Sequence, residues 1–142
     1  MFLTPDDYKY LIKEDILSRI VSHDMSQVAS AQMWAQELIE SYLREKYDVA
    51  QVFNKTGEDR NALIMGIMMD LVIHKLHSRS NVEIPTARIQ AYETAMEWLN
   101  KVSKPTQKGG ISVDLPLVEV TPPDVEKTGF YVKSEARQVF DF

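Results

Sequence analysis

Cysteine is absent from the 142 residues. That excludes disulfides, thiolate nucleophiles and zinc sites with sulfur ligands, and leaves the redox compartment unstated. Long apolar runs are also missing. The most apolar stretch, 62–73, is 12 residues long and contains Asp70, well short of the roughly 20 residues that span a bilayer. The opening Met1-Phe2-Leu3-Thr4-Pro5-Asp6-Asp7 lacks the basic start and apolar core of a signal peptide, so the expectation is a chain that stays in the cytoplasm where it is made and enters no membrane. Basic charge is in deficit, with 16 Lys+Arg against 21 Asp+Glu and a net charge of −5. Bulk-charge binding of nucleic acid is therefore disfavoured. G-x-S-x-G, S-x-x-K and H-E-x-x-H are absent, and Gly109-Gly110 is followed neither by Lys-Ser/Thr nor by a helix pattern. No nucleophile elbow, zinc helix or phosphate loop is encoded.

What is present is a hydrophobic fraction of 44% and a charged fraction of 26%, enough for one soluble domain with a real core. Residues 1–103 read as helices. Thr4 suits an N-cap, Pro5 the first helical position, and Asp6 and Asp7 the positive end of the dipole. Leu3 and Tyr8 are spaced as a hydrophobic staple. Tyr8, Ile12, Ile16 and Ile20 recur every four residues, with Lys13-Glu14-Asp15 marking a break between two short helices. Asp24 signals a second start, for a helix to about Lys46 striped by Val28, Ala31, Ala35, Leu38, Ile39 and Tyr42, with Trp34 at the edge. After a loop at 54–57, Asp59 is expected to open a third helix to about Arg79. Its segment 62–76 is apolar on nearly every side, the mark of a bundle centre, and its methionines suit core filling. Pro85 opens a fourth, with the stripe Ala87, Ala91, Tyr92, Ala95, Met96, Leu99 and Val102.

The remainder differs. Residues 104–142 hold four of the six prolines and three of the five glycines. Residues 104–110 read as a hinge, Ile111, Val113 and Leu115 alternate as in a strand until Pro116, and Pro122-Pro123 imposes extension. From Phe130 the even positions are apolar or small and the odd ones largely charged, as in a strand laid on a surface. A body of 1–103 has a radius of gyration of roughly 13 Å, whereas the arm at full extension reaches about 125 Å. The fold expected is all-α, a four- to five-helix bundle over 1–103 with an extended C-terminal arm over 104–142 containing short β segments. Docking on another subunit is expected through Phe130, Tyr131, Val132, Arg137, Phe140 and Phe142, with a disordered tail as the alternative.

Asp70, His74 and His77 share a helix face at i, i+4 and i+7. Carboxylate and imidazole can ligate a divalent metal, but no fourth ligand is identifiable, and a pairing of Asp70 with His74 in the bundle or across an oligomer contact is the expected role. His23 beside Asp24 is expected in solvent. Neither catalytic residues, nor cofactor, nor metal ligands are assigned, and an enzyme is not expected. A helix-turn-helix would need a basic exposed helix face. The second helix offers Arg44 and Lys46 among Glu37, Glu40 and Glu45, and the third is too apolar.

Four segments carry a resemblance: Leu3-Thr4-Pro5-Asp6-Asp7 followed by Ile16-Leu17; Glu37 to Leu43 with Tyr47; Asp70 to Leu76; and Tyr92 to Val102, with its Tyr-x-x-Ala-x-x-Trp-Leu-x-x-Val pattern. Together, over 1–103, they are similar to the small head-to-tail connector (head-completion adaptor) proteins of tailed bacteriophages, as found in Mu-like prophages. Gly129-Phe130-Tyr131-Val132 resembles arms from phages of gut Bacteroidetes. The stretch between the first helices is longer here, and the arm differs. The resemblance implies a structural virion protein at the head–tail interface, made in the host bacterial cytoplasm. It implies a homo-oligomeric ring, dodecameric by that likeness, with the portal protein and a tail or next head-completion protein as partners. The ring docks under the portal, extends the DNA channel and gives the tail its platform, while genomic DNA passes without sequence-specific binding. A negative net charge suits a channel that lets DNA slide, and an arm laid on a neighbour suits a heterologous ring contact. The alternative from another class is a small helical regulator binding DNA or a protein. Removing residues 130–142 is expected to leave the helical circular-dichroism signal intact and to abolish assembly in light scattering; unchanged assembly would overturn the arm's role.

Overall fold

A helix that is apolar all round must be covered all round, and the chain is arranged to do so. The structure, a computed structural model, describes residues 1–119. It contains α1 (Glu14–Ile20), α2 (Ser26–Leu43), α3 (Val49–Phe53), α4 (Ala62–Ser78) and α5 (Thr86–Ser103), with 3₁₀ turns at Pro5–Tyr10, Gly57–Asp59 and Thr106–Lys108. The protein is mostly helical, and no sheet forms among the described residues; an isolated antiparallel bridge joins Tyr47 to Leu117.

α4 is the centre. Ile64, Met68, Leu71, Val72, Ile73 and Leu76 are buried along it, and of 62–76 only Ala62 and Leu63 are exposed. α2 and α5 pack on α4 and on each other. α2 contributes Val28, Ala31, Ala35, Ile39 and Leu43, and α5 contributes Ala95, Leu99 and Val102. The small Ala31, Ala35 and Ala95 let the helices approach closely. Ala87, expected in the α5 stripe, is exposed instead, because it lies in the first turn, where α5 has just left the Ser80–Pro85 connection.

The starts follow local chemistry. The Asp7 carboxylate accepts from the Thr4 N–H at 2.6 Å and its hydroxyl at 3.0 Å. The first helical piece is a 3₁₀ turn ending at Tyr10, and α1 begins at Glu14, so the expected break is present. Asp24 accepts from the Ser26 N–H at 3.1 Å, after Ser22 and His23 turn the chain with φ of 53° and 64°. His23 is exposed, as expected. α4 starts at Asn61 rather than Asp59: the Asn61 side chain accepts from the Ile64 N–H at 3.0 Å, and Asp59 closes the preceding 3₁₀ turn. α2 stops at Leu43, before Lys46: the Lys46 and Tyr47 N–H groups both turn back to the Leu43 carbonyl, and the Lys46 carbonyl and Asp48 N–H then bond to Val118 and Pro116. α3, which the pattern reading left out, is capped by Asp48 accepting from the Gln51 N–H.

Residues 111–118 contain no strand, which corrects the expected β segment at Ile111–Leu115. Leu115 is buried and Val113 half-buried, but Ile111 is exposed, so the alternation holds only in part, and the backbone bonds to helix ends and side chains rather than to a ladder. The Ile111 N–H donates to the Lys101 carbonyl and the Val113 N–H to the Tyr47 hydroxyl, both at 3.1 Å. The Asp48 N–H donates to the Pro116 carbonyl at 2.8 Å and the Val118 N–H to the Lys46 carbonyl at 3.1 Å. Lys46 Nζ donates to the carbonyls of Val102 at 2.8 Å, Lys104 at 3.0 Å and Ile111 at 3.3 Å. Gly110 is required at the preceding bend, since a Cβ there would lie 2.0 Å from the Lys104 oxygen. The rest of the expected arm lies outside the described residues.

Arg60 ties the N-terminus to the α4 entry. Its Nη1 donates to Asp7 Oδ2 at 2.7 Å and Nη2 to Oδ1 at 3.2 Å, a two-pronged pair. Nη1 also reaches the Phe2 carbonyl at 2.8 Å, and Phe2 packs edge-on against Phe53 with centroids 5.0 Å apart. Burial raises the Asp7 pKa, but the Arg60 and Thr4 hydrogen bonds outweigh it and hold the carboxyl below its ordinary value. Asp7→Asn is expected to destabilise the protein by about 3 kcal/mol at pH 7, because it leaves Arg60 without its charge partner. The advantage of Asp7 is complete above the unfolded carboxyl value of about 4 and is lost as pH falls through the lower folded value. Urea unfolding at pH 7 and in strong acid should show the gap between the two proteins narrowing; a constant gap would exclude the ion pair as its source.

Candidate functional site

Two places merit description as sites: the polar seam between α4 and α5, and a cleft at the N-terminal end of α2. On the seam, Asp70, His74 and His77 do not converge on one point. Asp70 faces Arg88 of α5, Oδ1 to Nη1 at 3.4 Å, with both side chains about three-quarters buried. This replaces the expected Asp70–His74 pair: a fixed cation across the seam offers the carboxylate more than an imidazole on its own helix. His74 instead stacks on Tyr92, with centroids 3.9 Å apart and planes 16° from parallel. His77 is buried, and its Nδ1 has no hydrogen-bond partner among the described residues. Among those residues no group of three His, Asp or Glu is placed to hold a metal ion.

The electrostatics match a packing seam. Burial raises the Asp70 pKa while Arg88 pulls it back. Burial lowers His74, and burial together with Arg88 and His74 lowers His77. Each shift disfavours the charged form, as expected where water is excluded.

The cleft lies between the Pro5–Tyr10 turn, α1 and the first turns of α2, with a volume of about 550 Å³. Leu3, Tyr8, Ile12, Leu17, Val28 and Ala29 supply its apolar lining. Gln32 joins them at only 4% exposure. Its Nε2 donates to the Tyr8 hydroxyl at 2.6 Å, whereas its Oε1 finds no partner among the described residues. Burial also pushes the Tyr8 phenol far up, keeping it neutral. Met25, half exposed, lines the edge. Sequence reading missed this cleft. The available signal was Gln32, a polar residue four positions after Val28 within an apolar helix face. The expected arm residues Phe130, Tyr131, Val132, Arg137, Phe140 and Phe142 lie outside the described residues.

Compared with known protein families, residues 3–129 match the family described as Bacteriophage Mu, Gp36. The chain belongs to this family. It is a Mu-like phage protein, and membership in the Gp36 family points to phage structure or morphogenesis and to the virion. Comparison with curated proteins found no match, and comparison with solved structures found none. Among the described residues no helix is long and apolar enough to cross a membrane. The Gp36 match takes in the whole α2–α4–α5 core, both sides of the polar seam and all of the cleft lining except Met1.

The seam generates a pH dependence with a definite sign. Because His77 titrates below the ordinary imidazole value of about 6.5, the unfolded chain binds its proton more readily than the folded one. Stability is therefore complete above that value and falls as pH drops through the lower folded one. His77→Leu should flatten part of the loss between pH 7.5 and pH 5 in urea unfolding, with His74 supplying a further part; identical slopes in the two proteins would show that His77 carries none of it.

Proposed function

We propose that this chain is a structural subunit of a phage head-to-tail connector. In this reading, copies form a ring that docks beneath the portal, extends the DNA channel and provides the platform for the tail or the next head-completion protein. No catalytic residue, cofactor or metal takes part, and DNA passes without sequence-specific binding. The observation that carries the reading is the Gp36 family match over residues 3–129, in line with the connector-like Tyr-x-x-Ala-x-x-Trp-Leu-x-x-Val pattern at Tyr92–Val102.

Physical features support it. α4 is enclosed by α2 and α5, and across the seam Asp70 meets Arg88 and His74 stacks on Tyr92. A net charge of −5 disfavours retention of a passing polyanion. Ring closure needs a heterologous contact, with different surfaces on the two sides of each subunit.

The test mixes the full-length protein with the portal oligomer of the phage that encodes it. Co-sedimentation of the two, with extra ring density below the portal in electron micrographs, is the expected outcome. A protein that stays off the portal and instead retards DNA fragments in a gel would overturn the connector reading in favour of the regulator.

A further inference from the structure

We infer that the cleft at the N-terminal end of α2 receives the C-terminal segment of a second copy of this chain, with Phe140 and Phe142 as the side chains that enter it. This rests on the self-association in the proposed function, though not on the portal.

The acceptor side is explicit. The walls are mainly apolar, with Asp6, Lys9 and Glu14 also on the lining, and Gln32 sits among them with its carbonyl oxygen buried and unpartnered among the described residues. Buried acceptors are almost always satisfied, and one left bare costs about 1–3 kcal/mol. The Nε2 end is committed to the Tyr8 hydroxyl, which fixes the amide so that Oε1 remains the free end. An incoming chain segment fits this requirement, because an extended backbone brings an N–H donor together with apolar side chains. Met25 at the edge is 50% exposed and Met33, two turns further along α2, is 65% exposed. Such flexible apolar side chains adapt to a seated partner.

The donor side comes from the sequence and from where the described chain leaves off. Residues 120–142 number 23 and place Phe140 and Phe142 two positions apart, so in an extended segment both point the same way, with Asp141 opposite. A cleft of about 550 Å³ is of the size that encloses such side chains.

The occupant is a second copy because of polarity. The Val118 N–H bonds to the Lys46 carbonyl, so the chain departs beside the C-terminal end of α2, while the cleft lies at the N-terminal end. From Val28 to Leu43 the helix rises about 22 Å. The point where the described chain leaves off and the cleft thus lie at opposite ends of one helix, the polarity that a head-to-tail, heterologous contact uses. At full extension 23 residues span about 75 Å, ample for the step between neighbours.

Absence of cysteine makes the test clean, since every thiol is an introduced one. Full-length Met25→Cys and full-length Asp141→Cys are mixed and treated with a short bis-maleimide, and the doubly substituted chain is treated in parallel. The mixture should give a cross-linked heterodimer and the double variant a ladder of oligomers. Adding Phe140→Ala and Phe142→Ala to the Asp141→Cys chain should lower the yield about tenfold or more, as for lost aromatic anchors. A yield no higher than that of Asp141→Cys with Glu93→Cys, an exposed position on α5, would overturn the assignment to the cleft. A purely intrachain product in the double variant would overturn the second copy. Because the portal is absent from the assay, a protein that cross-links as expected but fails to bind the portal loses only the connector reading.

Discussion

The described structure depends on α4, a helix with no face fit for water. Of residues 62–76 only the first two are exposed, and each fully buried Leu, Ile or Met side chain contributes about 1.5–3 kcal/mol. One neighbouring helix cannot cover such a cylinder. α2 and α5 cover two sides, each as an amphipathic helix with one buried stripe. Long polar side chains close the margins: Lys75 lies over the Trp34 ring, 4.6 Å from its centroid, and Arg88 meets Asp70. Near the entry to α4, Val113 and Leu115 border a small cleft with Ile64 and Trp98. The apolar excess of one helix thereby accounts for the arrangement of the others.

Lys46 accounts for the path of residues 104–118. Its ammonium donates to three carbonyls, of Val102, Lys104 and Ile111, at the negative end of the α5 dipole, where a cation is favoured. Those carbonyls belong to the last turn of α5 and to the segment beyond it, groups a helix leaves without intrahelical partners. One side chain three residues past α2 therefore holds the end of α5 and the outgoing chain together. The next backbone bonds, through Asp48, Pro116 and Val118, continue the same attachment.

Periodicity made the helical body legible. The stripes of α2 and α5 and the all-round apolarity of α4 were apparent because packing on a helix core imposes a 3.6-residue repeat. Start signals were legible where one dominated, as at Thr4 and at Asp24, which lies one residue before the Met25 N-cap of α2, and not where two competed: Asp59 and Asn61 are equally good caps, and the 3₁₀ turn at Gly57–Asp59 decided between them. α3 was invisible because five residues are too few to establish a period. Alternation at Ile111–Leu115 reported the burial of Val113 and Leu115, but not the exposure of Ile111 nor what the backbone bonds to. The Asp70, His74 and His77 spacing gave their common face and missed Arg88 and Tyr92, which come from another helix. Gln32 was passed over because a lone polar residue on an apolar stripe has no signature until its surroundings are known.

The extent of the family match bears on how the fold and the aromatic segment relate. Residues 3–129 match the Gp36 family, and the match stops one residue before Phe130. Every core residue of the described body from Leu3 onward lies inside the match, as do the Arg60–Asp7 pair, the Lys46 contacts and all of the cleft lining except Met1. None of these requires a residue beyond 129. Burying rings such as Phe130, Tyr131, Phe140 and Phe142 yields a large hydrophobic gain at a modest loss of side-chain freedom. What holds the described body together therefore lies within the match, and the aromatic residues after it are the contact area that the proposed assembly would use.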